Sequence, residues 1–187
     1  MTVSLSPAQE KAVRDELEER ADYITDDELR QGTATNDFFD DVQQKLVGRG
    51  TKLVVGPRGC GKTHMMRFAQ LSCVDQPSYP FAVYVSFNRY YRLEPMLHHK
   101  GNAVRLFHVW ALANIALATY TALGQFGVEE ADGEASLGFS HASLLALVSK
   151  LESGTVLDET LQQAADQLSV ISVGAALESA MKLCGRV

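Results

Sequence analysis

Eight residues, Gly56-Pro57-Arg58-Gly59-Cys60-Gly61-Lys62-Thr63, constrain this chain more than any other part of it. They satisfy the pattern G-x-x-x-x-G-K-[ST] at every fixed position. Glycines let a backbone curl until successive N–H groups point inward and form a nest for an anion. A lysine at the seventh position reaches the outer phosphates of a nucleotide, and the hydroxyl after it is placed to ligate Mg²⁺. A helix expected to start near Gly61 adds the positive end of its dipole at the same point. The alternative is an ordinary glycine-rich turn with an incidental lysine, and the flanking residues speak against it. Leu53-Val54-Val55 is a short apolar run suited to a buried parallel strand. Residues 63–73 follow without Gly or Pro, as a helix needs. The phosphate-contacting candidates are therefore Gly56, Pro57, Arg58, Gly59, Cys60, Gly61, Lys62, Thr63 and His64. Lys62 is the catalytic candidate, Thr63 the metal ligand, and ATP or another nucleoside triphosphate with Mg²⁺ the expected ligand.

At 187 residues the chain has room for one full domain and little more. Its net charge of −6 is unevenly placed: residues 1–41 carry 12 acidic and 4 basic side chains, and the remainder 11 and 13. An acidic total disfavours nucleic-acid binding by the whole surface while leaving local patches open. Cys60, Cys73 and Cys184 show neither zinc nor redox spacing and fit a reducing cytoplasm. No signal peptide is evident at the start. The apolar stretch Leu106–Leu123 contains His108, Asn114 and two threonines, which favours a buried helix over a membrane span.

Along the chain, Ser6-Pro7-Ala8-Gln9 reads as a helix start, with that helix running to about Ala21. A second helix is expected from about Asn36 to Leu46, striped by Phe38, Phe39, Val42 and Leu46. Phe81–Phe87 is the best second strand, rich in β-branched and aromatic residues. Gly124–Gly138 reads as a loop. Helices are expected at Leu106–Leu123, Ser143–Leu151, Leu157–Leu168 and Val173–Leu183. The expected division is an acidic helical segment over 1–50 and a nucleotide-binding core over 51–187, with a helical insertion from about 95 to 187. A carboxylate at the end of a second apolar strand would complete a hydrolytic site. The one remote candidate, Asp158-Glu159, reads better as the acidic start of a helix. Leu183–Val187 looks like a helix end preceding a strand, so the expectation is the N-terminal piece of a longer protein.

The run from Phe38-Phe39 through Val42, Lys45-Leu46 and Gly50 into Leu53–Thr63, with Arg67-Phe68 after it, resembles the origin-recognition-like AAA+ and STAND ATPases of bacteria, which are P-loop NTPases. That resemblance covers roughly residues 36–123. It implies an α/β three-layer fold with a parallel central sheet and a helix-rich insertion, incomplete in this chain. It also implies a regulatory or mechanochemical ATPase module controlling a protein partner or a homo-oligomer, with bacterial antiviral defence as one setting. The alternatives are a small-molecule kinase and a nucleotide-stabilised scaffold that binds protein or DNA. A kinase lid rich in arginine has no counterpart in residues 106–187, whose Lys and Arg residues are Lys150, Lys182 and Arg186. Phe87-Asn88-Arg89-Tyr90-Tyr91-Arg92, with Lys100 and Arg105, has the interleaving used by single-strand binders, although packed tyrosines and solvated arginines are the plainer reading. His98-His99 lacks partners at metal-ligand spacing.

Overall fold

Helices joined by turns and extended segments make up the described parts of the protein, seen here in a computed structural model that describes residues 24–94, 102–155 and 158–185. The helix expected from Ser6 and the His98-His99 pair lie outside the described residues. The chain divides into two compact units, residues 1–72 and 73–187.

In the first unit, α1 spans Asp26–Gly32, α2 Asp37–Val47, and α3 Lys62–Asp75, which runs on past the division. The starts of α1 and α2 are written locally. Thr25 caps α1: its hydroxyl accepts from the Glu28 N–H, and its own N–H donates to the Glu28 carboxylate at 2.9 Å. The Thr25 hydroxyl also donates to that carboxylate at 2.7 Å, and this bond first, with the backbone N–H second, holds the Glu28 carboxyl below the usual carboxylate range. Asn36 caps α2 by accepting from the Phe39 N–H at 2.8 Å. The Phe39 and Phe68 rings meet edge to face at 5.3 Å and join α2 to α3. Gln43 donates to the Ser72 hydroxyl, which donates in turn to the Phe68 carbonyl, so neither polar group is left unpaired.

The second unit is built round α4, Ala103–Gln125. Its buried residues include Leu106, Val109, Trp110, Ala113, Ala116, Tyr120 and Leu123, as expected for the central helix of a bundle. Around it lie α5 (Glu130–Leu137), α6 (His141–Ser153), α7 (Asp158–Gln167) and α8 (Val170–Leu183); all four touch α4, and α8 also packs on α5. Two polar side chains of α4 are satisfied by its own backbone, Thr119 donating to the Ile115 carbonyl and Asn114 to that of Trp110, each at 2.8 Å, while Tyr120 donates outside it to the Phe139 carbonyl. Among the described residues α4 is the one helix long and apolar enough to cross a membrane, and 56% of its most apolar stretch is buried inside the protein.

Three expectations are overturned. No strand occurs among the described residues, so the α/β three-layer fold with a parallel sheet is wrong for this chain. With it falls the resemblance to AAA+ and STAND ATPases and to P-loop NTPases generally, which require that sheet. The physical reason lies in what a strand needs. An apolar run becomes a strand only against a hydrogen-bonded neighbour, and a parallel pair also needs both faces covered. Leu53 and Val55 are instead 87% and 81% exposed. Phe81–Phe87 uses its β-like composition for packing: the Phe81 ring lies 5.2 Å from Phe126 and the Phe87 ring 5.6 Å from Trp110. Within the expected Gly124–Gly138 loop, the chain instead forms α5.

Candidate functional site

Lys62 opens α3, and the loop before it folds back over its side chain. The Lys62 ammonium donates to the Gly56 carbonyl at 2.8 Å and to the Pro57 carbonyl at 2.7 Å, and lies 3.6 Å from Cys60 Sγ. Gly59 and Gly61 stand at φ +86° and +82°, a left-handed region that residues with a Cβ enter at a cost. These two reversals let residues 56–61 turn round a single ammonium instead of running on as an extended chain. Gly56, Pro57, Arg58, Gly59, Cys60 and Gly61 are exposed; Lys62, Thr63 and His64 are half-buried at the first turn of α3. The nine sequence-chosen residues thus form one continuous feature, a loop that ends on a helix N-terminus.

Beside the loop lies a cleft of about 460 Å³. Phe38, Val42 and Leu46 of α2, Leu53, Val55 and Met65 give it apolar walls, and Lys62 is at its lining. Its size falls in the range of small-molecule sites, and its mainly apolar lining with a few polar groups is the usual composition of one.

His64 is anchored in a way that fixes its proton. Thr33 donates its one hydroxyl proton to the Leu29 carbonyl. His64 Nε2, 2.8 Å from the same hydroxyl oxygen, must therefore be the donor, which makes the neutral ring the Nε2–H tautomer. Burial holds the His64 imidazole below its usual range, and the positive charge of Arg67 pushes it the same way. Arg67 is itself clamped, donating to the Ile24 carbonyl and to the Asp26 carboxylate, both at 2.7 Å. Thr33, Asp26 and Arg67 thereby orient the first turns of α3. Sequence reading gave them no such role, because the partners lie 31 to 43 residues apart and no local pattern marks them.

Among the described residues no three His, Cys, Asp or Glu side chains converge as a metal site. Thr63 remains the candidate ligand, and a Mg²⁺ ion there would take its other ligands from phosphate and water, as Mg²⁺ commonly does. The acidic pair Asp158-Glu159 opens α7, in the other unit. Comparison with protein-family models, with curated proteins and with solved structures finds no match to this chain.

Proposed function

We propose that this chain is a nucleotide-binding module. In this reading the Gly56–Thr63 loop grips the phosphates of ATP or another nucleoside triphosphate, and Mg²⁺ enters with the nucleotide through Thr63. The observation that carries the proposal is the collar of loop carbonyls round Lys62 at the head of α3. An ammonium has three N–H donors, and two of them are held by Gly56 and Pro57. The third points to the neighbourhood of Cys60, where a phosphate oxygen would be a far better acceptor than sulfur. The helix N-terminus adds its unpaired N–H groups, and the adjoining cleft gives the nucleoside an apolar wall. Binding is proposed here, and turnover is not. Placing an attacking water takes a carboxylate or equivalent group, and the described residues lining the cleft beside the loop include no Asp or Glu. The module then acts as a nucleotide-stabilised scaffold for a protein partner or a second copy. A reducing cytoplasm suits its exposed Cys60 thiol.

Titration calorimetry of ATP with Mg²⁺ into the parent and the Lys62→Ala variant tests the reading. Loss of one charge-assisted hydrogen bond in a loop open to solvent is worth about 1.5 kcal/mol, roughly tenfold in Kd. No heat of binding in the parent, or equal affinity in both proteins, would refute it.

A further inference from the structure

A second surface, wholly within the 73–187 unit, carries chemistry that the nucleotide site leaves unused. The 3₁₀ turn Asn88–Arg92 and the first turns of α4 expose Phe87, Tyr90, Tyr91 and Phe107 together. The rings are neighbours: Tyr90 meets Phe107 edge to face at 5.9 Å, and Phe107 and Phe87 lie 6.1 and 5.6 Å from the buried Trp110. Trp110 acts as a floor that holds two of the exposed rings in place. Tyr91, 61% exposed, has the Arg92 guanidinium 5.9 Å from its ring centre.

The charge of this stretch runs against that of the chain. Residues 88–110 contain four Lys or Arg residues and one acid, Glu94, in a protein of net charge −6. Glu152 of α6 is the acid that reaches the patch. Its side chain is 6% exposed and lies beneath the arginines, 2.9 Å from Arg92 and 3.9 Å from Arg89. It ties Arg92 down more firmly than Arg89, whose side chain is 61% exposed. Arg105 and His108 are also exposed on the first turns of α4, but Arg105 stands two residues, about 160° round the helix, from Phe107 and so lies on its other flank.

We propose that this patch binds single-stranded nucleic acid, with bases stacking on Tyr91 and Tyr90 and backbone phosphates meeting Arg89 and Arg92. Exposed ring faces beside guanidinium groups match the two parts of a single strand, whose bases are unstacked and whose phosphates are evenly spaced. A duplex hides its base faces, so it offers the arginines a partner and the tyrosines none. An acidic or apolar peptide would use one half of the surface and leave the other idle.

The test is fluorescence anisotropy of labelled oligo(dT) and oligo(U), and of a duplex of equal length, titrated with the whole chain across a range of salt. Stacking on one ring is lost in Tyr91→Ala, which should weaken single-strand binding about 5- to 100-fold, while Tyr91→Phe should restore it. Arg89→Ala should flatten the salt dependence by about 0.7 in log–log slope, the value of one phosphate contact on a single strand. Both positions are well exposed, and circular dichroism of each variant checks that it is folded before binding is read. The two oligomers separate a DNA preference from an RNA one, and either preference supports the proposal. Absence of binding at low salt would overturn it, as would duplex binding equal to single-strand binding. Loss in Tyr91→Phe as deep as in Tyr91→Ala would also overturn it, by showing that the hydroxyl and not the ring is used.

Discussion

Replacing Leu106 by alanine asks whether α4 is the core of a bundle, as its burial pattern says. Leu106 is 2% exposed, whereas Val104, two residues earlier on the same helix, is 83% exposed. The Leu→Ala change removes three carbons from a packed site, about 2.4 kcal/mol at roughly 0.8 kcal/mol per methylene. A cavity that the neighbours fill only in part raises the cost to about 3–4 kcal/mol. For a chain of this size each kcal/mol moves Tm by about 2–4 °C, so a fall of roughly 6–16 °C is expected. Val104→Ala removes atoms already in water and should stay within about 0.5 kcal/mol. The readout is built in: Trp110 is the single tryptophan, is fully buried, and stands one helical turn from Leu106. Its emission during thermal unfolding follows this core and no other. If the two variants melted together, the helix would have no inner face of the kind described and the bundle would be wrong.

Three further outcomes are expected. Gly61→Ala forces a Cβ into φ +82° and should cost about 1–2 kcal/mol in urea denaturation; an unchanged midpoint would show that the loop does not need its reversal. Thr63→Ala should abolish most of the difference between ATP affinities measured with Mg²⁺ and with a chelator, and an unaltered difference would remove Thr63 as the metal ligand. His64 should titrate by NMR below the ordinary histidine value of about 6.5. Because the folded protein prefers the neutral ring, its contribution to stability is complete above that value and is lost as pH falls through the depressed one. Thr33→Val, which takes away the acceptor of the Nε2 proton, should change that titration; an identical curve would contradict the tautomer assignment.

What could be read from the sequence was local in origin. Asn36 and Gly48 bracket α2 because a cap is a contact over three or four residues. The Gly59 and Gly61 reversals belong to single residues, but that the Gly56 and Pro57 carbonyls meet Lys62 is an arrangement the pattern, read as a nest of N–H groups, did not state. The two strand readings failed because pairing depends on distant chain, and nothing in Leu53-Val54-Val55 states whether a neighbour exists. The missed helix α5 contains Gly133, a poor helix former taken alone. In place, a side chain there would begin 3.5 Å from Tyr120 and 3.6 Å from Leu123, ordinary contact distances, so packing on α4 accommodates the helix without any need for glycine at this position. The His64–Thr33 and Arg67–Asp26 pairs escaped sequence reading for the same reason of distance.

The lysine collar also has a consequence for the heat and speed of ligand capture. A lysine side chain loose in water holds about 2 kcal/mol of rotamer entropy, which it forfeits when it settles on one partner. Lys62 has already given up much of that freedom to the Gly56 and Pro57 carbonyls. A polyanion bound as proposed would therefore meet a cation fixed in direction, and little of its binding energy would be diverted to ordering the side chain. Capture on such a loop resembles docking onto a rigid socket more than the closing of a flexible arm.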